Sequence, residues 1–240
     1  VPHSTPGRVV RGTVHDGGMA STRPSVPRPQ LPQLSLPDLT PYEGPGLEPD
    51  GDHDTESLTG LDLSRADGGG STFLDCALRQ CDLTETRLKR ARLIDSVLEG
   101  VTGVGTDLAD AELRDVELTG ARLGGAQLHG ARLTRVHVRG GKLDVLNLRQ
   151  ATLVDVTFDG CVLVEPDFGG ARLERVSFRD CALRGADLSA ARLRDVDLRD
   201  AAELGFAGGV DRLSGAVIGT GQLMDLAPAF AAQLGVRVLD

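Results

Sequence analysis

Tryptophan is absent from the chain of 240 residues, tyrosine occurs once, at Tyr42, and phenylalanine only six times. A core without large rings must rest on Leu, Val and Ala. No apolar run reaches the ~18 residues of a membrane span. No charged-then-apolar segment marks a signal peptide either, so a soluble, cytoplasmic protein is expected. The four cysteines, Cys76, Cys81, Cys161 and Cys181, offer no C-x-x-C and no zinc spacing. The five histidines are dispersed, no nucleophile-and-base arrangement stands out, and no phosphate loop follows a strand. The sequence is therefore read as non-enzymatic, with no cofactor and no metal. A net charge of −9 argues against direct nonspecific binding to nucleic acid or an anionic membrane.

Ten of the twelve prolines fall in residues 1–55, which show no sustained period. That composition predicts a disordered tail over 1–55. The chain begins at Val1 and its first methionine is Met19, so either a Val codon serves as the start or, the favoured expectation, Met19 is the native start and residues 1–18 are upstream sequence. "DGDHDTESLTGL" (50–61) begins like a calcium loop but has Thr55 where the loop needs Gly and Leu61 where it needs Glu. It reads as an acidic linker.

From Phe73 to Leu198 an apolar centre recurs at every fifth position without a register break. Twenty of the 26 centres are Leu, four are Phe, one is Val138 and one is Gly103. Two residues before each centre stands a small residue, most often Ala, Val or Cys. The residue between them is polar in most units, so three residues alternate in, out, in like a strand. The other two must turn the chain, and Gly at 100, 120, 125, 130, 140 and 160 suits a positive φ there. Repeated turns of one hand produce a solenoid. A longer period sets its section: Val recurs in the small slot at 116, 136, 156, 176 and 196. Twenty residues per coil means four sides. Residues 61–200 then form seven coils, roughly 34 Å long at about 4.8 Å per coil. In "GAQLHGARLTRVHV" (125–138), Gln127, Arg132 and His137 are expected to face water.

Units such as "GADLS" (185–189), "GARLT" (130–134) and "DAELR" (110–114) resemble the pentapeptide repeat family, with its A-(D/N)-L-X-X units. The resemblance implies a right-handed quadrilateral β-helix, an all-β solenoid, over 56–219. The chain departs from the family pattern at Arg87, Arg92, Arg122, Arg132, Arg172 and Arg192, where Arg replaces Asp or Asn. Residues 56–72 are expected to form an imperfect first coil, because Gly68 stands at a centre. At the other end the register fails at Glu203, where "AAELGFAGG" reads as an excursion, and resumes at Leu213, Ile218 and Leu223.

Residues 220–240 switch to helical spacing, with Leu223, Leu226, Phe230 and Leu234 as contacts. Thr220 is the expected N-cap, Gly235 the stop, and Pro228 a break at Ala227. The segment is either a cap on the solenoid or a homodimer contact, because some family members dimerise through C-terminal segments. The cysteines lie in inward slots and read as packing residues.

The resemblance implies a non-catalytic scaffold that presents a rigid surface to an unidentified protein partner. An alternative is a mimic of duplex DNA that binds DNA gyrase or topoisomerase, as in relatives that protect gyrase from quinolones or toxins. Asp107, Asp167 and Asp187 lie in one column that would carry such a role. Residues 56–200 hold 24 acidic and 20 basic side chains, however, and the Asp/Arg column over 115–195 largely neutralises itself. Outward Val145, Val162 and Val164 form a second candidate surface, an apolar patch.

Overall fold

The computed structural model describes residues 26–238. Met19 and residues 1–25 of the expected tail lie outside the described residues. The chain winds into a parallel-strand β-solenoid of about nine turns with one C-terminal helix. Strand partners are twenty residues apart along the rod: Leu133 pairs with Leu153, Val136 with Val156 and Val138 with Phe158. Four sides result. The first and second share one bent sheet of 12 strands, crossed by eight-residue strands such as Arg92–Glu99, Arg132–Arg139 and Thr152–Asp159. The third side is a six-stranded sheet of shorter strands, and the fourth is joined by single bridges from Asp67 to Asp187.

The corners explain the five-residue unit. Every fifth residue from Asp50 to Asp195 has a positive φ, between 49° and 76°. A left-handed residue redirects the chain after each three-residue alternation, so the next centre points inward again. Glycine holds only some of these corners; Asp, Arg, Gln and Glu hold others. The side chains at the centres fill the axis, with Phe73, Phe158, Phe168, Leu148, Leu153 and Leu163 fully buried. Phe158 stacks on Phe178 one coil away at 5.0 Å. Leucines along the middle of the rod enclose an apolar void of about 60 Å³.

At the N-terminal end the ordered rod starts earlier than residue 56, so the expected tail is corrected over its last part. Asp52–Asp54 pairs with Thr72–Leu74, and Thr40–Pro41 pairs with Glu56 and Ser57. His53 occupies an inward position one coil before Phe73. It stacks on that ring at 4.7 Å, meets the edge of Tyr42 at 5.4 Å and binds Glu56 Oε2 through Nδ1 at 2.8 Å. Leu47 fills the space that Gly68 leaves; a Cβ on Gly68 would lie 3.2 Å from Leu47 Cβ. Together these groups close the end of the apolar axis, which otherwise would face water.

At the C-terminal end, "AAELGFAGG" is a coil whose pairing slips locally by one residue rather than an excursion. Glu203–Gly208 pairs with Ala182–Asp187 through register shifts, and Leu204 takes the centre expected at 203. The twenty-residue offset returns at Ala216, which pairs with Val196. The helix α1, Thr220–Gln233, is continuous through Pro228, against the expected break. The carbonyl of Met224 loses its helical donor there, but Met224 is 69 % exposed and water can serve that oxygen. The N-cap is Gly219, whose N–H donates to Gln222 Oε1 at 2.8 Å, and not Thr220. Gly235, at φ 70°, ends the helix as expected.

Residues 26–39 form no regular element. They run as a strap along the second side, from Asp197 and Arg199 at the C-terminal coils back to Thr55, where Thr40 N–H donates to the carbonyl at 2.9 Å.

Candidate interaction surfaces

Asp107, Asp167 and Asp187 do share the fourth side, bridged through Gln127 and Asn147. Their carboxylates already have work in the fold. Asp107 accepts the Ala109 N–H at 2.9 Å, and Asp167 and Asp187 accept those of Gly169 and Ser189 at 2.8 Å. Each side chain thereby braces the turn that follows it, and the bonds from Ser189 hold the Asp187 carboxyl below its usual range. Arg149 adds an ion pair to Asp167 at 3.0 Å. Asn147 donates to Gln127 Oε1 at 2.7 Å, a neutral rung in the middle of the column.

Charges on the other sides pair in the same way, between residues one coil apart. Arg135 binds Asp115, Arg175 binds Asp155 through Nε and Nη2, each at 2.8 Å, Arg179 binds Asp159, and Arg65 binds Glu85. The sequence signal for these pairs is opposite charge at a spacing of twenty. Exposed pairs of this kind are worth about 0–1 kcal/mol each. Their larger effect is to interrupt any single-sign field along the rod.

Val145, Val162 and Val164 come together on the third side, where Val145 N–H donates to the Val164 carbonyl at 2.7 Å. Val162 and Val164 are half-buried and Val145 is 55 % exposed. Val104, more exposed still, extends this side and was not singled out from the sequence. Val145 holds a corner at φ 53°, which a β-branched residue tolerates poorly. Val145→Asn, which accepts that conformation, is expected to raise the unfolding free energy by about 1 kcal/mol, read as a higher urea midpoint with unchanged m-value.

The largest departure is on the second side. His137, expected to face water, is buried, and so are Thr157, Ser177 and Ala77 of its column, while Val97 and Glu117 are half-buried. Thr157 and Ser177 lie against Pro27, Pro29 and Leu31 of the strap. Sequence reasoning missed this because the strap segment shows no periodicity; the available signal was the scarcity of charge in one column of four.

His137 Nε2 has no hydrogen-bond partner among the described residues and lies 3.7 Å from Asp159 Oδ2. Burial, then the Arg139 charge, pushes its pKa below 6.5, against the pull of Glu117 and Asp159. The unfolded chain therefore takes up a proton near pH 6.5 that the folded chain resists. Stability from this group is present above pH 6.5 and falls as the pH drops below it. The loss of urea midpoint between pH 7.5 and pH 5 is expected to be smaller in His137→Gln than in the unchanged chain.

Among the helix contacts, Leu226 is buried, Phe230 half-buried, and Leu223 and Leu234 exposed. The helix packs on the 3-10 turn Val210–Arg212 and is tied to the last coil by Gln222 Nε2, which donates to the Leu198 carbonyl at 2.7 Å. All four cysteines are buried with free thiols. Burial pushes the Cys76 thiol up to about 11, and the contact with Cys181, then burial, raises that of Cys161. No helix among the described residues is long and apolar enough to cross a membrane.

No curated protein sequence matches the chain. Among solved structures it is similar to a trypsin-treated variant of QnrB1, a plasmid-mediated fluoroquinolone resistance protein. Identity is 19 % over 81 % of this chain and 97 % of that one, with a TM-score of 0.43. It is also similar to HetL, a pentapeptide repeat protein involved in heterocyst differentiation regulation in the cyanobacterium Nostoc sp. strain PCC 7120. There the identity is 23 % over 72 % of this chain and 91 % of that one, with a TM-score of 0.32. The family model "Pentapeptide repeat region" matches residues 71–148, and "Pentapeptide repeats (8 copies)" matches 146–180 and 167–200. With more than half of its length matched in the register that the strand pairing displays, the chain belongs to the pentapeptide repeat family.

Proposed function

We propose that the chain is a non-catalytic, cytoplasmic scaffold that offers a rigid rod to a protein partner and pairs with a second copy through α1. One observation carries this reading: exposed large apolar side chains concentrate at the C-terminal end. Leu223, Met224, Leu234, Val236 and Val238 are all exposed there. Exposed large apolar side chains gathered at one end of a rod support an interface there. The regular positions are occupied by packing, turning and inter-coil pairing, which supports a binding role over catalysis. Light scattering is expected to give twice the 25.2 kDa chain mass, and the single-chain mass for Met224→Glu with Leu234→Glu. A single-chain mass for the unchanged protein would refute the pairing.

The second reading, a DNA-like rod that binds gyrase, draws on the Asp107, Asp167 and Asp187 column and the net charge of −9. It requires that the chain relieve quinolone inhibition of gyrase supercoiling and that Lys at these three positions abolish the relief. The neutral rungs and paired arginines favour the scaffold.

A further inference from the structure

The second side differs from the other three in what its outward slots carry and in what covers them. Thr157 and Ser177 are small, uncharged and buried, and both face Pro27, Pro29 and Leu31 of the strap; the same column also holds buried His137 and only two charged residues, Glu117 and Asp197. The covering segment, "VPRPQLPQLSLPDL", alternates leucines with prolines. Leu34, Leu36 and Leu39 are half-buried and Pro32 is buried.

The attachment is sparse. Among the described residues, one hydrogen bond joins this segment to the rod ahead of its anchor at Thr40: the Gln30 N–H donates to Asp155 Oδ1 at 3.1 Å. Asp155 is oriented from within the rod by Arg175, one coil away, at 2.8 Å. Arg28 adds attraction to Asp197. Gaps remain on both flanks, one between Pro29, Leu31 and Thr157, the other between Gln33, Asp95 and Arg135. A strap whose prolines lack donors, held at one polar point and packed with gaps, is a replaceable occupant.

We propose that the second side is a docking groove for an extended peptide of a partner protein, with leucines spaced by prolines and a basic residue at one end. Residues 26–39 are its resident occupant. The groove supplies a small-residue floor for leucines, the Asp155 carboxylate for one backbone N–H and Asp197 for the basic end. This deepens the scaffold reading, on which it rests, by giving the class of partner. It uses a different surface from α1, so its failure would leave the light-scattering result standing. The tethered strap competes at an effective concentration in the millimolar range for a short linker, and it masks the groove in the unchanged chain.

The test uses a fluorescent peptide of residues 26–39 and the full chain carrying Gln30→Pro, which removes the single N–H bond without touching the core. A second full chain carries Leu34→Asp and Leu36→Asp. Anisotropy is expected to show the peptide binding either variant at least tenfold more tightly than the unchanged chain. Thr157→Arg, added to either variant, is expected to abolish that gain while far-UV circular dichroism stays the same. Equal affinity for the unchanged and strap-weakened chains would overturn the proposal, as would binding indifferent to Thr157→Arg. Strap exchange between copies, seen as a dimer that Gln30→Pro dissociates, would make the occupant a second copy and overturn the partner assignment.

Discussion

Phe158→Ala is expected to lower the unfolding free energy by about 3–5 kcal/mol. The ring is 2 % exposed, stacks on Phe178 at 5.0 Å and borders the axial void of about 60 Å³. Its removal joins new empty volume to a void that already exists. The walls cannot collapse to fill it, because Thr152–Asp159 is hydrogen-bonded to neighbouring coils on both sides. Loss of the ring pair adds about 0.5–1.5 kcal/mol to the hydrophobic part and is included in the total. In urea the midpoint should fall with the m-value unchanged. The same truncation in the terminal coils should cost less, since an end coil has one neighbour and can open locally. A drop below about 1 kcal/mol would mean that the coils slide together, and the picture of a rigid rod would fail.

The second large effect is Gly141→Ala. Alanine is the commonest residue in this inward slot, so the repeat pattern would call the change conservative. The structure does not. Gly141 has φ +100°, and a Cβ there would lie 2.3 Å from the Ala121 carbonyl oxygen. That oxygen accepts the Lys142 N–H at 2.9 Å, so the clash falls on a ladder bond between coils. A left-handed backbone costs a non-glycine residue about 1–2 kcal/mol, and overpacking costs about 1–3 kcal/mol. Together they predict a loss of about 2–5 kcal/mol, measurable by urea unfolding. Gly120→Ala separates the two causes: its φ is +64° but nothing lies within 4 Å of the added Cβ. It should lose only the conformational part.

The solenoid was legible because its causes are local and repeated. A centre every fifth residue forces a turn every fifth residue, and valines twenty apart set four sides; the strand register confirms both. The ends were less legible because each is unique. Leu47 and His53 serve the core from a segment whose proline content reads as a tail. Leu204 holds its centre through a local one-residue slip that a strict period cannot absorb. The candidate site divides in the same way. The valine patch followed from outward slots, whereas the Asp107 column proved to be occupied by turn bonds that spacing alone does not reveal.

The sequence by itself determined the rod: its four sides, its leucine axis and the side to which each residue of a coil belongs. These depend on neighbours five and twenty residues away, and a regular period encodes them. Only the tertiary structure decided which sides are free. Thr157 and Ser177 belong to outward slots yet are buried, because residues 26–39 return across more than a hundred positions to lie on them. No period records such a contact; its energy comes from covering a column poor in charge with apolar side chains, which becomes visible only when both are placed in space.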